Sequence, residues 1–253
     1  MLKDKIIVNF GDSIFGNFRA PEDISTYIAE ETGATVYNVG FGGCRMAKHA
    51  LPQFGKFSMY MLADAITDRD FSGQHEAFSY EPIGEALPLY FIDSLELLES
   101  IDFENVDAIT IAYGTNDFTA KQTLDSVDKY DINSFGGALR YSIEKIKNRY
   151  PKIKIAVCSQ LYRYWRDENN KFVEDSETKF CGDRKLSDFI EKTKEIADEY
   201  GLFYINNYDE SGINAETRTQ CFSASDGAHP LEYGRRLIAL NMSKNLAKIF
   251  ADS

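Results

Sequence analysis

A serine, a histidine and a carboxylate stand in this sequence where they could carry out acyl transfer. Gly11-Asp12-Ser13 directly follows the apolar run 6–10, which predicts a strand. The serine therefore falls at a strand's carboxyl end, where open α/β sheets place their chemistry. Near the other end of the chain, Asp226 and His229 lie three residues apart. A hydroxyl, an imidazole and a carboxylate are the components of nucleophilic catalysis on acyl groups.

Each of these groups would have its own task. A serine hydroxyl is a weak nucleophile until a base removes its proton. His229 is the candidate base for Ser13, because it alone among the three histidines has a carboxylate three residues before it in a turn-like segment. The carboxylate of Asp226 would fix the tautomer of the imidazole. The three groups together predict an acyl-serine intermediate.

Acyl transfer also needs hydrogen-bond donors for the carbonyl oxygen, which becomes negative as the serine attacks. Each fixed donor aimed at that oxygen lowers the barrier by ~3–4 kcal/mol. The glycine-rich run 40–43 can bring a backbone N–H close to a substrate, because glycine has no Cβ. The amide of Asn116 is a neutral side-chain donor. Both are candidates for this stabilising role.

The elements that must position these residues alternate between short β-branched runs and longer amphipathic stretches, a pattern typical of a parallel sheet covered by helices. Strands are predicted at 5–10, 34–39, 107–112, 153–158 and 202–206. Helices are predicted at 21–32, 134–149, 183–200 and 231–250. The first helix is expected to have Pro21 in its first turn and Gly33 just past its end.

Four short blocks occur in order along the chain, each after a predicted strand or just before the last helix. They are Gly11-Asp12-Ser13-Ile14, Asn38-Val39-Gly40-Phe41-Gly42-Gly43, Gly114-Thr115-Asn116-Asp117 and Asp226-x-x-His229-Pro230. From residue 6 to about 240 the chain resembles the SGNH hydrolases, also called the GDSL esterase/lipase family. The resemblance depends on the joint order of the blocks, since any one of them alone is a weak motif.

The resemblance implies a three-layer α/β/α fold with a five-stranded parallel sheet in the flavodoxin-like order 2-1-3-4-5. It implies Ser13 as nucleophile, His229 as base and Asp226 as orienting acid. Its oxyanion hole would consist of the Ser13 N–H, the Gly43 N–H and the Asn116 amide. The sequence departs from the family after Gly43, where Cys44-Arg45 replace the small residue and threonine common in relatives.

Each of these residues could also have a role that involves no catalysis. Ser13 could cap a helix, Asn116 could satisfy its own turn, and Asp226 could cap the terminal helix. His229 could be a surface residue before a proline. Because all four alternatives would have to hold at once, the joint pattern favours catalysis. A dinucleotide fingerprint, a phosphate-binding loop and a Gly-x-Ser-x-Gly elbow are all absent from the sequence.

The composition limits the partners. The 253 residues include 40 acidic and 28 basic side chains, a formal charge of −12, which disfavours nucleic acid and anionic lipid surfaces. With 43% apolar residues, we expect one domain over residues 1–253. No apolar run approaches the ~20 residues that span a bilayer, and no leader is visible. We therefore expect a cytoplasmic protein, or a secreted one if a leader has been removed, without membrane insertion and acting on a small-molecule ester.

The cysteines and remaining histidines point to no cofactor and no metal. The four cysteines are dispersed, without a Cys-x-x-Cys pair, so we expect reduced thiols. Cys44 is interpreted as a packing residue. His49 and His75 form no zinc-binding pattern. Both are expected to be partly exposed and non-catalytic, although His49 is close enough to Gly43 in sequence to line a pocket.

Two long segments, 41–83 and 159–182, are rich in aromatic residues, which could form the walls of a pocket or could simply pack on the sheet. Neither segment has a continuous apolar lid, so a short acyl group on a polar alcohol is favoured. Deacetylation of a carbohydrate is the preferred function. A lysophospholipase or thioesterase, and a non-catalytic module that binds a glycan or acyl ligand, are the alternatives.

Overall fold

The strands of the computed structural model, which describes residues 1–251, form one parallel sheet and one hairpin. They are β1 (Ile6–Gly11), β2 (Thr35–Gly40), β3 (Ala108–Ala112), β4 (Lys154–Cys158), β5 (Tyr164–Arg166), β6 (Phe172–Asp175) and β7 (Phe203–Ile205). The sheet is five-stranded and all parallel, in the order β2-β1-β3-β4-β7. Counted within the sheet this is 2-1-3-4-5, as predicted. The antiparallel hairpin β5-β6 lies in the segment 159–182, where no strand was predicted.

The helices of the described part fill the connections between these strands. They are α1 (Ser13–Gly16), α2 (Ile24–Thr32), α3 (Pro52–Gly55), α4 (Met59–Asp68), α5 (Ser72–Ala77), α6 (Tyr90–Ser100), α7 (Thr115–Thr119), α8 (Phe135–Arg149), α9 (Leu186–Tyr200), α10 (Asn207–Glu210), α11 (Arg218–Cys221) and α12 (Glu232–Ala251). A 3₁₀ turn covers Phe103–Asn105. Within residues 1–251, no helix has both the length and the apolar character needed to cross a bilayer.

The sheet is covered on both faces, which confirms the predicted three layers. Successive side chains of β1 point to opposite faces, so Val8 and Phe10 join the core formed with α4, α6, α8 and α9. Ile7 joins the core formed with α2 and α12. All three side chains are fully buried. Burial on both faces explains why the strand sequences are continuously apolar.

Two predicted helices begin later than expected, because polar side chains cap them. The prediction that α2 begins at Pro21 is wrong: Asp23 accepts a hydrogen bond from the Thr26 N–H at 3.0 Å, and the helix begins at Ile24. Gly33 ends it, with a φ of 76°. Helix α9 begins at Leu186 rather than at 183. The helices predicted at 134–149 and 231–250 match α8 and α12 to within one residue at each end.

The aromatic residues of segment 41–83 mostly pack in the core. Phe41 and Phe57 are fully buried, with ring centroids 4.8 Å apart. The segment is also not a loop, because it contains α3, α4 and α5. The interpretation of these aromatics as sheet-packing residues is therefore the better one. Few residues of segment 41–83 line the cavity described below.

Candidate active site

Ser13 lies at the turn between β1 and α1, at the carboxyl edge of the sheet. Asp12 caps the short helix by accepting a hydrogen bond from the Ile14 N–H at 3.0 Å. Asn38, near the end of β2, donates to the Phe15 carbonyl at 2.8 Å and so ties α1 to the neighbouring strand. Ser13 is left half-buried at the first position of α1, with its hydroxyl available to other parts of the chain.

The loop before α12 brings His229 and Asp226 to this hydroxyl. The His229 Nε2 lies 2.8 Å from the Ser13 Oγ, although 216 residues separate the two in sequence. On the other side of the ring, Nδ1 lies 2.6 Å from the Asp226 Oδ2. The second Asp226 oxygen accepts the backbone N–H groups of Ala228, at 2.7 Å, and of His229, at 3.1 Å. The carboxylate therefore holds both the ring and the loop that carries it.

The electrostatics of this pair are set by the short bond between the two side chains. Partial burial alone would raise the pKa of Asp226, but hydrogen bonds from the His229 ring and from two backbone N–H groups outweigh burial and lower it. The same bond to Asp226 raises the pKa of His229, against the opposing effect of burial. The arrangement thus makes the imidazole a stronger base than a free histidine.

Three hydrogen-bond donors, two backbone N–H groups and one side-chain amide, belong to residues that line the cavity beside the Ser13 hydroxyl. Gly43 follows β2 with a φ of 74°, a conformation that favours glycine. In residues 1–251, neither the Gly43 N–H nor the Ser13 N–H donates to a protein acceptor. The Asn116 Nδ2 donates to the Cys44 carbonyl at 2.9 Å, which uses one of its two hydrogens and fixes the amide. Asn116 and Gly43 both line the cavity next to Ser13.

Gly42 is held by a tyrosine that the sequence did not indicate. Its N–H donates to the Tyr90 hydroxyl at 2.8 Å, and that hydroxyl donates to the Asn17 Oδ1 at 3.1 Å. A Cβ at Gly42 would lie only 2.5 Å from the Tyr90 oxygen and 3.4 Å from the Ser13 Cβ. A side chain at residue 42 would therefore displace the Tyr90 hydroxyl, so glycine is needed here to keep the bond between them.

Asp117 holds the loop that follows β2. Its carboxylate is fully buried and accepts the N–H groups of Met46 and Ala47, each at 3.0 Å. Burial raises the pKa of Asp117 to about 6, against these hydrogen bonds. The sequence placed Asp117 in the block with Asn116 but gave it no role. Its contacts, which span about 70 residues, link the turn after β3 to the loop after β2.

A cavity of about 260 Å³ opens over these groups. It is lined by Ser13, Ile14, Asn17, Gly42, Gly43, Phe54, Glu85, Pro88, Thr115, Asn116, Arg163, Ala228 and His229. His49 is not among these residues: its Nδ1 accepts the Leu51 N–H, and burial lowers its pKa to about 4. His75 is exposed and pairs with Glu99. Cys44 is fully buried in the core, in agreement with its interpretation as a packing residue.

No metal-ligating cluster accompanies this site in the described part of the chain. Among residues 1–251, no group of three or more His, Cys, Asp or Glu side chains is arranged to hold a metal ion. The cysteines Cys44, Cys158, Cys181 and Cys221 are all buried and unpaired with one another. The groups that converge on the cavity are those of acyl transfer: a hydroxyl, an imidazole bound to a carboxylate, and fixed N–H donors.

Solved structures of other proteins share the fold of this chain. A protein from Lactobacillus plantarum has the same fold with a TM-score of 0.65 and 18% identity, covering 98% of this chain and 99% of its own. A possible lipase from Chitinophaga pinensis gives 0.61 and 16%, covering 96% and 98%. Est24, a carbohydrate acetylesterase from Sinorhizobium meliloti, gives 0.59 and 15%, covering 97% and 99%. None of the curated proteins compared matches the chain.

The match to a family model is the more specific of these findings. The model of the GDSL-like lipase/acylhydrolase family matches residues 8–237. That span contains all four blocks named from the sequence, from Gly11 to Pro230. The chain therefore belongs to the GDSL-like lipase/acylhydrolase family and is a serine ester hydrolase.

Proposed function

We propose that this enzyme hydrolyses short acyl esters, acetyl esters in particular, of carbohydrates or other polar alcohols. In this mechanism Ser13 is the nucleophile, His229 the general base and Asp226 the group that orients the base. The observation that carries the proposal is the continuous series of contacts from Asp226 to His229 to Ser13, at 2.6 and 2.8 Å. Both distances are those of hydrogen bonds through which a proton can move.

The proposed reaction has two halves. In the first, the Ser13 oxygen bonds to the ester carbonyl carbon while His229 Nε2 takes the hydroxyl proton, and the negative oxygen accepts bonds from the Ser13 N–H, the Gly43 N–H and the Asn116 amide. His229 then gives its proton to the departing alcohol, and the acyl-serine remains. In the second half, water gives a proton to His229 as its oxygen bonds to the acyl carbon; the bond to the Ser13 oxygen then breaks, His229 returns the proton to that oxygen, and the acid is released.

The size and lining of the cavity support a short acyl group. A volume of about 260 Å³ lies below the range of about 300–1,000 Å³ typical of sites for drug-sized ligands. Only Ile14, Phe54, Pro88 and Ala228 give the lining apolar side chains, which does not suit a long acyl chain. Est24, which shares the fold, is a carbohydrate acetylesterase, in agreement with this choice.

A series of 4-nitrophenyl esters tests the acyl preference. We expect kcat/KM to be at least about tenfold higher for the acetate than for the octanoate, because extra methylenes find no apolar channel to enter. Nitrophenol release gives both values. Equal or greater kcat/KM with the octanoate would contradict the proposal and favour a lysophospholipase or thioesterase.

Replacing Asn116 by alanine tests the proposed oxyanion hole. We expect kcat to fall about 10²–10³-fold with KM little changed, because the lost donor binds the transition state and not the ester. Asn105→Ala, an exposed asparagine whose amide donates to Asp102, is the matched control and should keep full activity. A loss in kcat below threefold for Asn116→Ala would remove Asn116 from the oxyanion hole.

The pH dependence of kcat/KM follows from the state of His229. The ring accepts a proton only when neutral, so activity rises with pH through the pKa of His229. Because Asp226 raises that pKa, the midpoint should lie above the ordinary histidine value of about 6.5. Asp12, whose pKa burial raises to about 6, titrates below it. In Asp226→Asn the residual activity should have its midpoint shifted to lower pH, and an unchanged midpoint would contradict this account.

A further inference from the structure

Arg163 forms one wall of the cavity and is held rigidly there. It precedes β5, and its Nη1 donates to the Thr115 hydroxyl at 2.9 Å and to the Thr119 hydroxyl at 3.3 Å. The guanidinium also lies over the ring of Trp165, 4.7 Å from its centroid. These contacts fix a positive charge beside the catalytic groups, without using its whole hydrogen-bonding capacity.

Within residues 1–251 no carboxylate lies within ion-pair distance of this arginine, although the charges of Asp12 and Asp226 act on it. In the described part of the chain, Arg163 makes no ion pair, its Nε is buried without a hydrogen-bond partner, and its Nη2 donates to no protein acceptor. Because the Nε is enclosed by the protein, the Nη2 is the group of this guanidinium that can donate a charge-assisted hydrogen bond to a carboxylate in the cavity. In contrast, the buried Arg140 is paired with three carboxylates. A desolvated and unpaired cation is costly, in a chain whose net charge is −12.

Arg163 lies on the side of the cavity where the alcohol part of a bound ester would lie. The next residue, Tyr164, donates its N–H to the Gly227 carbonyl at 3.0 Å, so the arginine segment is bonded directly to the loop that carries Asp226 and His229. The Arg163 charge also acts on the pKa of His229, which it lowers. Since the imidazole gives its proton to the leaving alcohol, the alcohol lies on the histidine side of the cavity. A carboxylate, Glu85, also lines the cavity. It comes from the segment before α6 and forms no ion pair with Arg163.

We propose that Arg163 binds a carboxylate on the alcohol moiety of the substrate, so that the enzyme prefers acyl esters of hydroxy acids or acidic sugars over neutral ones. This inference rests on the proposed esterase function and makes its substrate class more specific. The unpaired Nη2 and the charge of the guanidinium supply the recognition, and Thr115, Thr119 and Trp165 hold the group in place. Arg163 thereby selects the substrate and takes no part in the proton transfers.

The test uses two acetyl esters that differ in one charge, 3-acetoxybenzoate and its methyl ester, with acetate release as the readout. For the unaltered enzyme we expect a higher kcat/KM with the carboxylate. Arg163→Gln should lower kcat/KM for the carboxylate about 10- to 100-fold, mainly through KM. For the methyl ester kcat/KM should fall by a clearly smaller factor, so that the preference for the carboxylate is lost, and Arg163→Lys should restore part of that preference.

Arg166→Gln is the matched control for charge. Arg166 lies on the same hairpin, over the Tyr164 ring, and does not line the cavity. Its replacement removes the same charge from the protein surface and should leave the preference for the carboxylate unchanged. If Arg166→Gln lowers the preference as much as Arg163→Gln does, a diffuse field is responsible and the proposed subsite is wrong.

Three other results would overturn the inference. An equal loss on both esters in Arg163→Gln would mean that Arg163 only supports α7, which carries Asn116. A preference for a carboxylate that is found only with mono-4-nitrophenyl succinate, whose charge is on the acyl part, would contradict the placing of the carboxylate on the alcohol part. Calorimetric binding of 3-hydroxybenzoate that is equal in the unaltered protein and in Arg163→Gln would exclude the subsite even if no ester is turned over. Failure to hydrolyse 4-nitrophenyl acetate would instead contradict the proposed function.

Discussion

Replacing Ser13 by alanine is expected to lower kcat on 4-nitrophenyl acetate by about 10⁴–10⁶-fold. The change removes the only atom proposed to bond to the acyl carbon, and what remains is the slow attack of water in a site that still holds the donors. The cavity keeps its shape, because only one oxygen is lost. Steady-state kinetics with the purified variant, after its circular dichroism has been matched to that of the unaltered protein, give the measurement.

Ser72→Ala is the matched control for Ser13→Ala. Ser72 is also the first residue of a short helix but is exposed and lies outside the cavity. It should retain full activity. If Ser13→Ala kept more than a tenth of the activity, another nucleophile would have to be responsible. If the unaltered protein showed no turnover, and Ser13→Ala bound the ligand as tightly as the unaltered protein does, the non-catalytic binding module would be supported.

The second large effect is expected from Asp226→Asn, with kcat lower by about 10³–10⁴-fold. The amide cannot accept the Nδ1 proton in the way the carboxylate does, so the ring takes the wrong tautomer and Nε2 no longer accepts the Ser13 proton. The imidazolium that forms during the reaction also loses its counter-charge. The Asp226 Oδ1 bonds to Ala228 and His229 can be kept by the asparagine oxygen, so the loop should hold its conformation.

Glu99→Gln tests whether that loss is specific to this pair. Glu99 lies 2.6 Å from the His75 Nε2, the same distance as in the Asp226–His229 pair, but on the exposed surface. Its replacement should leave kcat within twofold. If Asp226→Asn retained more than a tenth of kcat, orientation by this carboxylate would be excluded and His229 would have to be held by the loop alone.

The placement of Ser13, Gly43 and Asn116 at one edge of the sheet was predictable from the sequence, because the carboxyl ends of parallel strands lie at the same edge. Ser13, Gly43 and Asn116 follow three successive predicted strands, and in the structure β2, β1 and β3 are neighbours in the sheet. The order of the strands came from the family resemblance and not from the strand sequences, since buried parallel strands are apolar throughout and carry little information about their neighbours. Those residues therefore meet at one edge, as expected.

The features that sequence reasoning missed depend on contacts between distant segments. Asp117 holds a loop 70 residues away, and no local pattern distinguishes such a carboxylate from a turn residue. Arg163 stands in a run of aromatic residues, and the absence of an ion pair at Arg163 within residues 1–251 is visible only in the folded structure. The start of α2 was misplaced because Pro21 and Asp23 are both typical of helix beginnings, and the aspartate provides the cap.

Labelling with a fluorophosphonate, followed by peptide mass spectrometry of the folded protein, tests the central claim most directly. The reagent reacts only with a serine that a neighbouring base has activated, so we expect a single adduct, on Ser13, and its loss in His229→Ala. No adduct on Ser13 in the unaltered protein, or an equal yield in His229→Ala, would contradict the proposed catalytic site.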